Sequence, residues 1–285
     1  MEATPTVTKP QIRPRNTRIG FSDAIAKHWF GGSAVATHLI NGVNLLFPEG
    51  ERFFVRSVRA YLDEVTPERR DEVVAFFRQE GSHAREHERY FAILEAQGYE
   101  IRPFLEDFKR ILRRVERMSP PQLRLAVTAA TEHFTAVMAE NAFIDRRMFD
   151  ESDPVMRDLL LWHAAEEIEH KAVAYDVLQE VAPAYLWRLL GLLVAAGMLS
   201  YFWSRATQML LRQDGLRKED ADRDIEAFQR WRGTLGIQER DIGRDVFWRG
   251  IKEYLRPSFH PWQNNNAHLI ADFLAALDGS SAEPG

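Results

Sequence analysis

The sequence predicts an all-α protein, a four-helix bundle extended by further helices. Strand signals are weak, because no clear run of alternating β-branched residues occurs and no Asn-Gly turn is flanked by such runs. Helix starts are clear, because at three points a residue that can cap a helix is followed by a proline suited to the first turn. These starts are Thr66-Pro67, Ser119-Pro120 and Asp153-Pro154.

Four long helices and one connecting helix follow from these signals. Their predicted ranges are 48–65, 67–97, 104–117 for the connecting helix, 120–149 and 154–181. Phe47-Pro48 opens the first, and Gly98 ends the second as a C-terminal glycine. Tight turns join the first two long helices and the last two, so each pair should pack antiparallel. Further helices are expected before residue 47 and after Pro183.

Composition limits the chemistry that this chain can carry. The 285 residues include no cysteine, which excludes disulfides, iron–sulfur clusters and thiolate zinc sites. A transition metal would therefore need His, Asp and Glu ligands. The net charge of −5 is spread without long single-sign blocks, which argues against nucleic acid as a partner.

The chain is expected to form one domain, because no linker rich in Gly, Ser or Pro interrupts its middle. Residues 1–17 are interpreted as a flexible arm and 279–285 as a disordered tail. The domain then spans 18–278, with the bundle core at 48–181 and extra helices over 183–278. The N-terminus lacks the apolar run of a secretory signal, so the cytoplasm is the expected compartment.

Two Glu-x-x-His motifs carry the candidate chemistry. Glu80 and His83 form the first, and Glu167 and His170 form the second. Each motif lies within the apolar stripe of its helix, where side chains face the core. The other two long helices each place one carboxylate on their apolar stripe. These carboxylates are Glu51 and Glu132.

The four glutamates are also predicted to lie at one level of the bundle. Residues equidistant from the turn of an antiparallel pair lie at the same height. The midpoint of Glu51 and Glu80 is 65.5, at the first turn, and the midpoint of Glu132 and Glu167 is 149.5, at the edge of the second. Four buried carboxylates repel one another and lose hydration, and two divalent cations would compensate for both effects. Carboxylate and imidazole ligands suit iron, manganese or zinc.

This ligand set resembles that of ferritin-like dimetal proteins, in which two helices each give a Glu and two others each give Glu-x-x-His. Three segments more specifically resemble a bacterial family called "predicted metal-dependent hydrolase", over nearly the whole chain after Arg13. These segments are 47–54, 79–87 and 162–170. The resemblance implies a dinuclear metal centre in a bundle core, with Glu80 and Glu167 bridging the cations.

Two further histidines extend the six-residue set. His163 lies one turn before Glu167, and His-x-x-x-Glu-x-x-His is similar to the third-helix signature of di-iron arylamine N-oxygenases. That resemblance implies that His163 is a seventh ligand, with a hydrogen-bonded core histidine as the alternative. His87, one turn beyond His83, is a further ligand or a residue that orients one.

Neighbouring acids and one histidine are expected to stay outside the site. Glu49 shares its face with arginines and is therefore a poorer ligand candidate than Glu51. Glu166 and Glu169 are predicted to be solvated, and His133, beside Glu132 but off its face, to be structural.

The function hypothesis is a di-iron oxidoreductase or oxygenase that uses O2 and an external electron donor to act on an apolar or amine-bearing small molecule. Glu80 and Glu167 would be its catalytic residues. A dimetal hydrolase is the alternative, and a non-enzymatic metal-binding protein is the second. The apolar segment over 187–205 is too short to span a bilayer comfortably, so it predicts a buried helix, a homodimer contact or peripheral membrane contact.

Overall fold

The computed structural model describes residues 9–144, 149–237 and 241–280. Within these ranges the chain is helical, and the β pairing is a single isolated bridge between Phe30 and Ser152. The main helices are α1 (Ala34–Asn44), α2 (Phe47–Arg59), α3 (Pro67–Ala96), α4 (Arg102–Met118), α5 (Pro121–Ile144), α6 (Pro154–His170), α7 (Val173–Val181), α8 (Tyr185–Gln213), α9 (Lys218–Thr234), α10 (Arg249–Tyr254) and α11 (Ala271–Ser280). The all-α prediction is confirmed.

The predicted start and stop signals act as capping groups in the structure. The Thr66 hydroxyl accepts a hydrogen bond from the backbone N–H of Arg69 at the start of α3. The Asp153 carboxylate caps α6 in the same way. Gly98 has a positive φ of 93°, as expected for a glycine that ends a helix.

Two of the predicted helices differ clearly in extent from those observed, and the end of a third is not described. Helix α2 ends at Arg59, and residues 60–65 form turns where a helix to 65 was expected. Helix α5 is described to Ile144, and residues 145–148 of its predicted end lie outside the described residues. The predicted helix 154–181 is two helices, interrupted after His170. At this break the Lys171 ammonium donates to the carbonyl oxygen of Asn264, a partner that helical periodicity cannot reveal.

Helix α8 packs one face on the bundle and leaves another exposed. A Cβ atom on Gly191 would lie 2.4 Å from the carbonyl oxygen of Ala126, so glycine allows the close approach of α8 and α5. Leu186 and Leu193 are exposed on the outer face. By length and composition α8 could cross a membrane, although a third of its most apolar stretch is buried. The homodimer, the peripheral membrane contact and the cytoplasmic location stay predictions.

Segments at both ends of the chain cover the bundle. After α9, a π-helical segment over Gly243–Trp248 continues into α10. At the other end, the backbone N–H of Ile19 donates to the Glu86 carboxylate on α3. Residues 1–8 of the predicted arm and 281–285 of the predicted tail lie outside the described residues.

Candidate metal centre

The seven predicted ligands converge in the interior of the bundle. Helix α2 supplies one, α3 two, α5 one and α6 three, and each residue is at most 4 % exposed. They are Glu51, Glu80, His83, Glu132, His163, Glu167 and His170. The glutamates of all four helices therefore point inward, as the apolar stripes predicted.

Their donor atoms fall into overlapping groups that suit two cations. Within each group the ligand atoms lie no more than 4.8 Å apart. The groups are Glu51, His83 and His163 on one side, Glu80, Glu132 and His170 on the other, and Glu80, His83 and Glu167 between them. A pair of positions that share central carboxylates is the arrangement that a bridged dinuclear centre requires.

Unpartnered polar atoms support this interpretation. Both carboxylate oxygens of Glu51, Glu80 and Glu132 are buried without a hydrogen-bond donor. The His170 Nε2 atom is also unpartnered, although it lies 3.1 Å from a Glu80 oxygen, because the orientation makes no hydrogen bond. Leaving so many charged oxygens unmatched costs several kcal/mol. The residues present therefore fit a pair of divalent cations.

The electrostatics of the cluster show how poorly these carboxylates are compensated by protein groups. Burial, reinforced by Glu80, raises the pKa of Glu51 well above its usual value. Burial and Glu167 raise the pKa of Glu132 to about 8. Burial alone would lower the pKa of His83, but Glu166 and Glu80 raise it to about 10. Burial would raise the pKa values of Glu80 and Glu167 too, but the histidines beside them lower both. The carboxylates that the protein leaves uncompensated are therefore Glu51 and Glu132, and cation binding there would favour loss of protons.

In each Glu-x-x-His motif, the histidine ring is held by a residue on the helix of the other motif. That residue comes immediately before the motif glutamate of its own helix. His83 Nε2 lies 3.0 Å from the Glu166 carboxylate, which leaves Nδ1 facing the cluster. His170 Nδ1 lies 2.9 Å from Gln79 Oε1, which leaves Nε2 facing the cluster. Hydrogen bonds to the far nitrogen fix the tautomer and ring orientation that a metal ligand needs.

His87 lies behind His163. Its Nε2 atom is 2.7 Å from His163 Nδ1, while His163 Nε2 lies 2.8 Å from a Glu167 oxygen and faces the cluster. His87 itself belongs to none of the ligand groups. Of the two roles considered for His87, the geometry favours orienting His163 over binding a cation.

The prediction that Glu166 and Glu169 are solvated is wrong. Their exposed fractions are 0 % and 3 %, and the guanidinium of Arg15 pairs with both carboxylates. Glu49 belongs to none of the ligand groups, and its side chain, 14 % exposed, pairs with Lys109. His133 Nε2 donates to the backbone carbonyl oxygen of Gly250, 3.0 Å away, consistent with its expected structural role.

An apolar cavity of about 240 Å³ leads to one side of the cluster. Its walls come mainly from α1, α5, α6, α9 and the π-helical region, and His163, Glu167 and Thr135 line its inner end. Gln229 and Asp241, which also line it, are exposed at the protein surface. The cavity therefore connects the surface with the candidate metal centre.

The family comparison supports a metal-dependent activity. The family described as "Predicted metal-dependent hydrolase" matches residues 13–265. The chain belongs to the predicted metal-dependent hydrolases. The matched region contains every ligand candidate, and comparisons with curated proteins and with solved structures gave no match.

Membership of this family supports the hydrolase alternative better than the O2-dependent hypothesis. The family description names hydrolysis, and the buried Glu and His groups indicate metal binding. Neither identifies the metal as iron, and neither supports a reaction with O2.

Sequence reasoning assigned no role to several residues around this site, among them Gln79, Thr135 and Arg15. Thr135 lies one turn after Glu132, and its hydroxyl donates to the Glu167 carboxylate. That spacing was available in the sequence. Arg15 lies outside the helices, so helical periodicity gave no signal for it.

A second group of acid and imidazole side chains is a hydrogen-bonded network. His28 and His38 each place Nε2 2.7 Å from Asp214 Oδ2. The Asn41 carbonyl oxygen accepts from two aromatic side chains, so its amide N–H faces His38 Nδ1. His38 must then carry its proton on Nε2 and donate it to Asp214, which leaves no lone pair there for a metal.

Proposed function

We propose that this protein is a dinuclear metal-dependent hydrolase whose cations lie among the seven buried Glu and His residues. The observation that carries the proposal is the set of three glutamates with both oxygens buried and unpartnered, facing imidazole nitrogens across four helices. In a protein interior such a set needs cations.

The residues divide between two cation positions. Glu51, His83 and His163 would hold one cation, Glu132 and His170 the other, and Glu80 and Glu167 would bridge them. When bound, the cations would polarise a scissile carbonyl or phosphoryl group and lower the pKa of a water molecule. Carboxylate and imidazole donors suit zinc, manganese and iron.

The chain's own residues define what reaches this centre. The apolar walls of the cavity would bind a hydrocarbon portion of the substrate and exclude bulk water. Thr135, by donating to Glu167, holds that carboxylate in one orientation at the inner end. We therefore propose a substrate with an apolar acyl or alkyl portion and a hydrolysable bond at its leading end.

The test uses metal-depleted protein reloaded with zinc, manganese or Fe(II). Nitrophenyl esters of increasing acyl length are offered, and hydrolysis should require metal and favour longer acyl chains. Glu80→Ala and Glu167→Ala should abolish activity and weaken metal binding, whereas Glu49→Gln should change neither. Metal-independent hydrolysis, or full activity in both alanine variants, would overturn the proposal.

Oxidation by O2 is the second candidate, because His163 adds a third imidazole and the cavity walls are apolar. When reduced, iron at this site would supply electrons to O2, and an external donor would restore them. Anaerobic loading with Fe(II) followed by O2 should then give a transient visible absorbance. Failure to see one, together with metal-dependent ester cleavage, selects hydrolysis. Binding of many more than two metals per chain, with neither activity, would select the non-enzymatic alternative.

A further inference from the structure

An arginine from the N-terminal segment is buried beside the candidate metal centre. The Arg15 side chain is 7 % exposed although the segment around it has no helix. Its guanidinium donates to Glu169 at 2.7 and 3.1 Å and to Glu166 at 3.3 Å. The Nε atom donates to Asp278 on α11 at 2.8 Å. Both ends of the chain therefore meet at this point.

Arg15 lies at the centre of a continuous chain of hydrogen bonds that joins the two motif histidines. On one side, Arg15 pairs with Glu166, whose other oxygen is 3.0 Å from His83 Nε2. On the other side, Arg15 pairs with Glu169, which accepts from the Gln79 amide at 2.7 Å. The Gln79 carbonyl oxygen in turn faces the Nδ1 atom of the second motif histidine. These two histidines face different cation positions.

Two acceptors orient the Gln79 amide: the Glu169 carboxylate, which Arg15 holds in place, and the backbone carbonyl oxygen of Arg13 at 3.3 Å. A carboxylate can only accept hydrogen bonds, so a charged Glu169 forces Gln79 to point its amide N–H toward it. The Gln79 carbonyl then faces His170, which must place its proton on Nδ1. His170 Nε2 is left with a free lone pair toward the cluster. If the amide reversed, the proton would move to Nε2 and block it as a ligand.

Glu166 acts on His83 by the same rule. As a charged acceptor it requires the proton on His83 Nε2, which leaves Nδ1 to face Glu80 and Glu167. Glu166 and Glu169 are both buried, where a carboxylate needs a partner of opposite charge close by. Arg15 supplies that charge. Burial alone would lower its pKa, but hydrogen bonds to Glu169 and Asp278 raise it above its usual value.

We propose that Arg15 is a positioning residue that fixes the metal-binding tautomers of His83 and His170 through Glu166, Glu169 and Gln79. The inference rests on the proposed dinuclear centre. A residue that only anchors the N-terminal segment would affect the stability of the folded chain. A positioning residue must also affect cation affinity while the protein remains folded.

The experiment measures binding of Zn²⁺ and Co²⁺ by competition with a chelator, at a temperature where circular dichroism shows every variant folded. Arg15→Met should weaken binding about 10- to 100-fold, the loss typical when a group that orients a ligand is removed. Arg15→Lys keeps the charge and should lose less. Arg13→Met is the matched control, because the exposed Arg13 side chain contacts Asp278 and Gln11 at the surface. Its affinity should be unchanged.

Two further measurements keep the inference testable if Arg15→Met does not fold. Glu169→Gln keeps the shape of the side chain but removes the obligate acceptor, so it should weaken cation binding in a folded protein. In Arg15→Ala, added guanidinium at low concentration should restore part of the lost affinity, and it should have no effect on Arg13→Ala.

The outcomes separate this inference from the proposed function. Folded Arg15→Met with a lowered melting temperature and unchanged affinity would mean that Arg15 is only an anchor. Unchanged affinity in Arg15→Lys and Glu169→Gln together would overturn the inference as well. A wild-type protein that fails to bind two cations would instead overturn the proposed metal centre.

Discussion

Replacing Glu51 by Gln should keep or raise the stability of the apo-protein, but it should lower the stabilisation that metal binding adds. In the apo-protein both Glu51 oxygens are buried without a donor, near other carboxylates. A neutral amide of the same shape removes that repulsion, so the apo variant should be at least as stable as the wild type. The same change removes a charged ligand, so the stabilisation gained on adding metal should fall.

The size of the effect follows from binding linkage. A cation at a free concentration about 100 times its Kd stabilises the folded state by about 2.7 kcal/mol. Unfolding entropy scales with chain length, and for 285 residues it amounts to about 0.6 kcal/mol per degree near the midpoint. Each bound cation should therefore raise Tm by about 4 to 5 °C, and two cations by about 9 °C.

Differential scanning calorimetry of apo and metal-loaded protein measures both quantities. The wild type should show the full shift, and Glu51→Gln about half of it or less. Glu49→Gln is the matched control on the same helix, because Glu49 pairs with Lys109 and belongs to none of the ligand groups. It should keep the full shift. A full shift in Glu51→Gln, or a lost shift in Glu49→Gln, would refute the assignment of Glu51 as a ligand.

Three other predictions concern single positions. His163→Ala should weaken metal binding, measured by chelator competition, more than His87→Ala does, because His163 faces the cluster and His87 lies behind it. Equal losses of affinity would contradict this arrangement. Gly191→Ala should destabilise the fold by about 1 to 3 kcal/mol in urea titrations through overpacking against α5, whereas Gly197→Ala, with open space around it, should be neutral or stabilising. Burial would raise the pKa of Asp214, but hydrogen bonds from Lys27, His38, His28 and Tyr99 lower it. The stability that Asp214 provides is therefore present above about pH 4 and lost as pH falls further. Asp214→Asn should lower the free energy of unfolding measured by urea titration, and this loss should shrink as pH falls below about 4. A loss that does not depend on pH would contradict this cause.

Much of the ligand set could be predicted because helix geometry is local. A period of 3.6 residues decides which side chains share a face, so acids and imidazoles on an apolar stripe must point inward. Chain distance from a turn then gives the height of each residue in an antiparallel pair. These two rules predict that Glu51, Glu80, Glu132 and Glu167 lie together in the core.

The same local rules failed where a partner comes from far along the chain. Glu166 and Glu169 flank a ligand on a charged stretch of helix, and the sequence alone suggested that water would solvate them. The structure buries both because Arg15 reaches them from outside the bundle. Likewise, the break after His170 coincides with a contact between Lys171 and the segment near Asn264.

The sequence by itself therefore determined the helices, their inward faces and the acids and imidazoles at one level, since each depends on residues within a few turns of one another. Only the tertiary structure decided which group orients each histidine, where the cavity reaches the site and which acids are buried. Those features depend on segments that are distant in the chain and meet only when the core packs, so no local pattern encodes them.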